Sequence, residues 1–130
     1  MTQFSKQYNT ITKENINEMV ISFYSTILKE NGEVAQVFKD KLGDDLNSDM
    51  WKEHITILTN FWAMIALQDD EYRGNPMRAH LDLPLSRDKF SSWLVMFFKT
   101  IDSLYEPHLG EIFKNRAQNI AMNFMRNLGL

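Results

Sequence analysis

From Thr12 onward the apolar residues Ile16, Met19, Val20, Phe23, Tyr24, Ile27 and Leu28 recur at steps of three and four, the spacing of one face of an amphipathic helix. Thr12 is placed to cap its start and Asn31-Gly32 to end it. A shorter apolar set, Val34, Val37, Phe38 and Leu42, precedes the polar run Gly43-Asp44-Asp45-Leu46-Asn47. Ser48 and Asp49 then open a second long helix with the stripe Trp51, His54, Ile55, Leu58, Phe61, Trp62 and Ile65, so His54 points into an apolar face. Breakers crowd residues 68–76, which predicts a loop, with at most a short helix over 76–81 around His80, stopped by Asp82-Leu83-Pro84. Ser86 starts a third long helix carrying Phe90, Trp93, Leu94, Phe97, Phe98, Ile101 and Leu104. It breaks at Glu106-Pro107, and a fourth carries Leu109, Ile112, Phe113, Ala117, Ile120, Phe124 and Leu128.

No segment alternates with period two and no internal repeat is visible, so the pattern predicts an all-α chain. Four long helices and an irregular stretch bearing a histidine leave two architectures open, a four-helix bundle or a globin-like packing around a ligand. At 130 residues one domain, 1–130, is enough, burying roughly two-thirds of the surface its unfolded chain exposes. Fourteen Lys and Arg against 17 Asp and Glu, with neither sign in a block, argue against nucleic acid or an anionic membrane surface as partner. No apolar run approaches the roughly 20 residues of a membrane span, and the first residues lack the apolar centre of a signal peptide, so a cytoplasmic monomer is expected.

The chain has no cysteine and three histidines, which excludes disulfides, thiolate metal sites and covalent haem attachment through Cys-x-x-Cys-His. Residues three before His54, His80 and His108 are Trp51, Met77 and Tyr105, so the Glu-x-x-His pairs of di-iron bundles are missing, as are the common nucleotide and metalloprotease motifs. His108, beside Pro107, reads as surface. His80, between Pro76 and Pro84 in apolar surroundings, suits a metal whose other ligands arrive with it, and haem iron is the commonest such case. Nine Phe, three Trp, four Tyr and eight Met supply flat, adaptable apolar surface, which suits an aromatic core first and a planar pocket second. With His54 on a long helix and His80 on a short segment after a loop, the two segments can face each other across a cavity. The second nitrogen of a ligating imidazole needs a carbonyl or carboxylate, for which a backbone carbonyl within 70–76 is nearest in sequence.

Phe23-Tyr24, Trp51-Lys52-Glu53-His54, Asn60-Phe61-Trp62, His80-Leu81-Asp82-Leu83-Pro84 and Trp93, in this order and spacing, make the chain resemble the group III truncated haemoglobins of bacteria over about 16–125. The resemblance implies a two-over-two helical sandwich around non-covalent haem b, with His80 as proximal iron ligand. Tyr24, His54 and Trp93 would line the distal side, and Phe23, Phe38, Leu58, Phe61, Trp62 and Met77 the rest of the pocket. Arg78 or Tyr72 would meet the propionates. The stretches 1–8 and 127–130 fall outside the match, free to be disordered. By spacing alone Trp93 and Tyr24 are core residues; the resemblance gives them their role.

The function implied is binding of O2, CO, NO or peroxide. Donors from Tyr24 and Trp93, each contributing roughly 1 to 3 kcal/mol in a dry site, would hold O2 too tightly for delivery. That favours peroxidase-like chemistry or NO dioxygenation over oxygen transport, with electrons from a separate reductase. A haem-based gas sensor and a cofactor-free helical interaction module are the competing expectations.

Overall fold

Thr12 begins the first helix as its sequence position requires. Its hydroxyl accepts from the backbone N–H of Asn15 at 3.1 Å, and the Asn15 side chain accepts from the Thr12 N–H at 3.0 Å, a reciprocal cap that satisfies two otherwise orphaned donors. The computed structural model describes residues 7–72, 74 and 83–130. Met77, Arg78 and His80, and the short helix expected around His80, lie outside the described residues.

Among the described residues the chain runs α1 (Lys13–Glu30), α2 (Glu33–Leu42), α3 (Asp49–Leu67), α4 (Arg87–Leu104) and α5 (Pro107–Asn127). Asn31 ends α1 in the left-handed region at φ 54°, which turns the chain at once into α2. Ser48 caps α3 and Ser86 caps α4, each accepting from the N–H three residues on. Tyr105 is extended between α4 and α5, and Pro107 opens α5 where its missing N–H costs nothing.

The helices form two stacked pairs. α1 packs on α3 and α4 on α5, while α1 also crosses α4, and α2 leans on both α1 and α4. This is the two-over-two arrangement. Gly110 lets α5 approach α4 closely, since a side chain there would meet Ile101 Cγ2 at 2.9 Å. The core between the pairs is aromatic, with Phe23, Trp62, Phe97 and Phe113 buried alongside Ile16, Met19 and Ile101. Burial of such rings is the main force holding the layers together.

Tyr8 is stitched into the junction of α4 and α5. Its N–H donates to the Leu104 carbonyl at 2.7 Å, its carbonyl accepts from the Glu106 N–H at 3.1 Å, and its ring meets that of Tyr105. At the other end Arg87 donates to the Leu130 carbonyl at 2.8 Å. Both stretches that the resemblance left outside therefore have residues fastened to the helices. No helix among the described residues is long and apolar enough to cross a membrane.

Candidate ligand-binding site

Tyr24 on α1 and His54 on α3 face each other because the two helices pack along their apolar stripes. The Tyr24 hydroxyl lies 3.1 Å from His54 Nε2. Tyr24 is 4% exposed, and burial pushes its hydroxyl well above the ordinary phenol range, so it remains a neutral O–H. Around the pair stand Phe38 from α2, with its ring centroid 5.1 Å from that of Tyr24, and Trp51 from α3, 5.1 Å from Tyr24 and 5.6 Å from His54. A polar pair thus sits against an aromatic wall, where a hydrogen bond is stronger than in water.

Which way that bond runs decides what the pair can do. If His54 carries its proton on Nε2, it donates to the Tyr24 oxygen, and the phenolic proton is left for a third group. If it carries its proton on Nδ1, Tyr24 donates to it and offers only lone pairs. The first arrangement makes Tyr24 a donor to a bound ligand.

Trp51 is the residue that sequence reasoning passed over as a member of the site. Its indole N–H donates to the Gly43 carbonyl at 2.8 Å, which ties the start of α3 to the end of α2 and fixes the wall beside His54. The signal was present in the three-residue step from Trp51 to His54, which stacks both on one helix face.

The remaining expected residues divide into groups. Phe23 bridges the site, with its ring 5.3 Å from Tyr24 and 5.4 Å from Trp93. Trp93 on α4 is half-buried and lies flat on Phe97 at 5.2 Å. Trp62 is buried between Phe97 and Phe113, on the core side of α3. Leu58 and Phe61 are half-buried, and Phe61 packs on Tyr72 at 5.2 Å, which carries Tyr72 toward the same end of α3. Burial raises the Tyr72 hydroxyl above its ordinary range. His108 is exposed, with Nδ1 3.9 Å from Glu106.

Two grooves formed by described residues lie elsewhere. One of about 450 Å³ runs between the α1–α2 turn and α4, past Ile27, Val34, Ser92 and Val95. The other, of about 220 Å³, is lined by Phe61 and Ile65 of α3 with Arg116, Ile120 and Phe124 of α5. Among the described residues no group of three or more His, Cys, Asp or Glu is placed to hold a metal ion.

No family model matches the chain. Comparison with curated proteins finds the group 3 truncated hemoglobin ctb of Campylobacter jejuni, 31% identical over 123 residues that make up 94% of each chain. Comparison with solved structures finds the crystal structure of the group III truncated hemoglobin from Campylobacter jejuni, with TM-score 0.86, 32% identity and 95% of each chain covered. An all-α sandwich with this identity along nearly its full length, and a tyrosine–histidine pair against an aromatic wall, leave one assignment: the chain belongs to the group III truncated haemoglobins.

Proposed function

We propose that this protein holds haem b through His80 and binds O2, CO or NO on the side of the haem lined by Tyr24, His54 and Trp93. The observation that carries the reading is the buried Tyr24–His54 pair in an aromatic enclosure, within a chain of this family. The donor set fits the group. A neutral hydroxyl and an imidazole suit a weakly negative ligand, and the flat rings of Phe23, Phe38 and Trp93 suit a planar macrocycle.

Haem, when bound, would supply a ferrous iron able to take up a diatomic ligand. The chain's own residues do the rest. Tyr24 donates its phenolic proton to the ligand while His54 Nε2–H holds the phenol oxygen in place, and Trp93 offers a second donor. Phe23 and Phe38 keep water from competing for these donors. Arg78 or Tyr72 would meet the propionates. Several donors at one ligand slow its release, so the protein serves O2, NO or peroxide chemistry rather than delivery of oxygen, and a separate reductase supplies electrons.

The visible absorption spectrum tests this directly, recorded as purified, after reduction and after CO addition, for wild type and His80→Gly. A Soret band that shifts with CO, and that is lost in His80→Gly and restored by added imidazole, is the expected outcome. A colourless wild type that takes up no haem sinks the reading and leaves the cofactor-free interaction module. Tyr24→Phe and Trp93→Phe should each speed O2 release by about 5 to 150-fold, the equivalent of roughly 1 to 3 kcal/mol. Unchanged release in both would remove the distal assignment.

A further inference from the structure

The aromatic residues of the core form an unbroken file of contacts from Trp93 to the molecular surface. Phe97 is sandwiched between Trp93, at 5.2 Å and 6° between planes, and Trp62, at 5.0 Å and 21°. Trp62 meets Phe113 at 5.9 Å, Phe113 stacks on Tyr105 at 4.9 Å, and Tyr105 meets Tyr8 at 6.1 Å. Of the oxidisable rings, Trp93, Trp62 and Tyr105 are thus spaced by phenylalanines that touch both neighbours, and Tyr105 meets Tyr8 directly. Packing alone requires rings, but it does not require indoles and phenols at the oxidisable positions.

The middle of the file and its Tyr8 end differ in a way that gives it direction. Trp62, Phe97, Phe113 and Tyr105 are buried, with Tyr105 only 1% exposed. The Tyr105 hydroxyl donates to the Asn15 carboxamide oxygen at 2.7 Å, which is too weak a base to take its proton. Tyr8 is half-buried at the edge of the core, and its hydroxyl donates to the exposed Glu18 carboxylate at 2.6 Å. A phenol gives up an electron readily only when its proton can leave at the same time, and among these rings Tyr8 has a carboxylate in place to receive it.

We propose that the file conducts oxidising equivalents from the haem pocket to Tyr8, which makes Tyr8 with Glu18 a surface site for one-electron oxidation of small phenols. The proposal rests on the haem reading above. Tyr8 yields an electron along the file and its phenolic proton to Glu18, becoming a tyrosyl radical. A phenol at the surface returns a hydrogen atom to Tyr8 as an electron and a proton, and leaves as a phenoxyl radical. Hydrogen peroxide is the oxidant: its O–O bond breaks, and it departs as two waters with two electrons from two phenols and two protons from solvent, which Glu18 restores by releasing to solvent the proton it took in each turn. Phenols that do not enter the pocket are thereby served at the surface, and the pocket rings are spared oxidation.

The test uses the haem-loaded full chain. Hydrogen peroxide is added with a nitroso spin trap that bonds covalently to tyrosyl radicals, and the adduct is located by peptide mass spectrometry. Wild type should carry it on Tyr8, and Trp62→Phe and Tyr105→Phe should lose it, both with wild-type helix content and Tyr105→Phe with the wild-type visible spectrum. Glu18→Gln changes only an exposed side chain; it should lower the Tyr8 adduct at neutral pH without changing peroxide binding. An adduct confined to Tyr24 or Tyr72, or a Tyr8 adduct undiminished in Trp62→Phe and Glu18→Gln, would overturn the route. Failure of the haem reading shows separately, as absence of a Soret band. In that case tryptophan is oxidised in the protein as purified by azidyl radicals made radiolytically. The same Tyr8 adduct, lost in Trp62→Phe, supports the route, and its absence overturns it.

Discussion

Two tyrosines in this molecule are buried to nearly the same degree and do opposite work. Tyr24 is 4% exposed and Tyr105 is 1% exposed, and each directs its hydroxyl at a side chain on another segment. The difference lies in what holds the partner. Asn15 is locked on every side: its Oδ1 accepts from Thr12 N–H and from Tyr105, its Nδ2 donates to the Thr10 carbonyl at 3.0 Å, and its backbone N–H donates to Thr12. His54 is half-buried, and its tautomer sets which way the bond to Tyr24 runs. A buried hydroxyl is structural when its partner is saturated and available for chemistry when its partner can change roles.

The comparison breaks first at Asn15. Asn15→Ala removes the side-chain half of the reciprocal helix cap and strands the buried Tyr105 hydroxyl in one step, so unfolding by urea should show a loss of about 2 to 4 kcal/mol. A loss below about 1 kcal/mol would mean that water replaces the amide, and Tyr105 would then resemble Tyr24 after all. No change in ligand kinetics is expected from this variant, because Asn15 touches none of the rings beside His54.

Exchanging each phenol for phenylalanine sharpens the contrast. Tyr105→Phe should cost about 1 kcal/mol of stability and leave the O2 dissociation rate where it was. Tyr24→Phe should have the inverse profile, with a stability change of about 1 kcal/mol or less and the faster O2 release expected above. Stopped-flow kinetics beside urea titration of both variants decides it. If both variants shift stability alone, Tyr24 is a core residue and its nearness to His54 is packing.

The helices were legible in the sequence because caps and stripes are local. Thr12, Ser48 and Ser86 mark three helix starts, Asn31-Gly32 marks one end, and Pro107 marks the break between α4 and α5. The pairing of Tyr24 with His54 was legible only through family likeness, since each residue sits on a stripe that spacing alone assigns to a core. What could not be read is instructive. Asn15 is a polar residue between Glu14 and Ile16, and nothing local reveals that Tyr105, ninety positions on, will bury it. Periodicity likewise tells which face of α3 carries Trp62 but not that Phe97 and Phe113 close over it from two other helices. Three-residue spacing orients a side chain; its neighbour depends on how helices cross.

The smallest effect vanishes at neutral pH and separates the tyrosines by cause. Burial raises both hydroxyls above the value of about 10 that an unfolded tyrosine has. Below that pH both states hold the proton and the shift contributes a constant. Above it the unfolded chain ionises first, the folded state binds more protons, and stability falls as pH rises toward the folded values. For Tyr24 burial is the whole cause, whereas for Tyr105 the negative charges of Glu18 and of ionised Tyr8 add to it. Glu18→Gln should therefore bring the ionisation of Tyr105 down and leave that of Tyr24 in place, as read per residue from the Cζ carbon shifts in an alkaline NMR titration. Tyr8 should move down with Tyr105, because the same carboxylate accepts its proton. If Tyr24 moved too, the two corners would be coupled through the core, and the division between a locked phenol and an adaptable one would have to be given up.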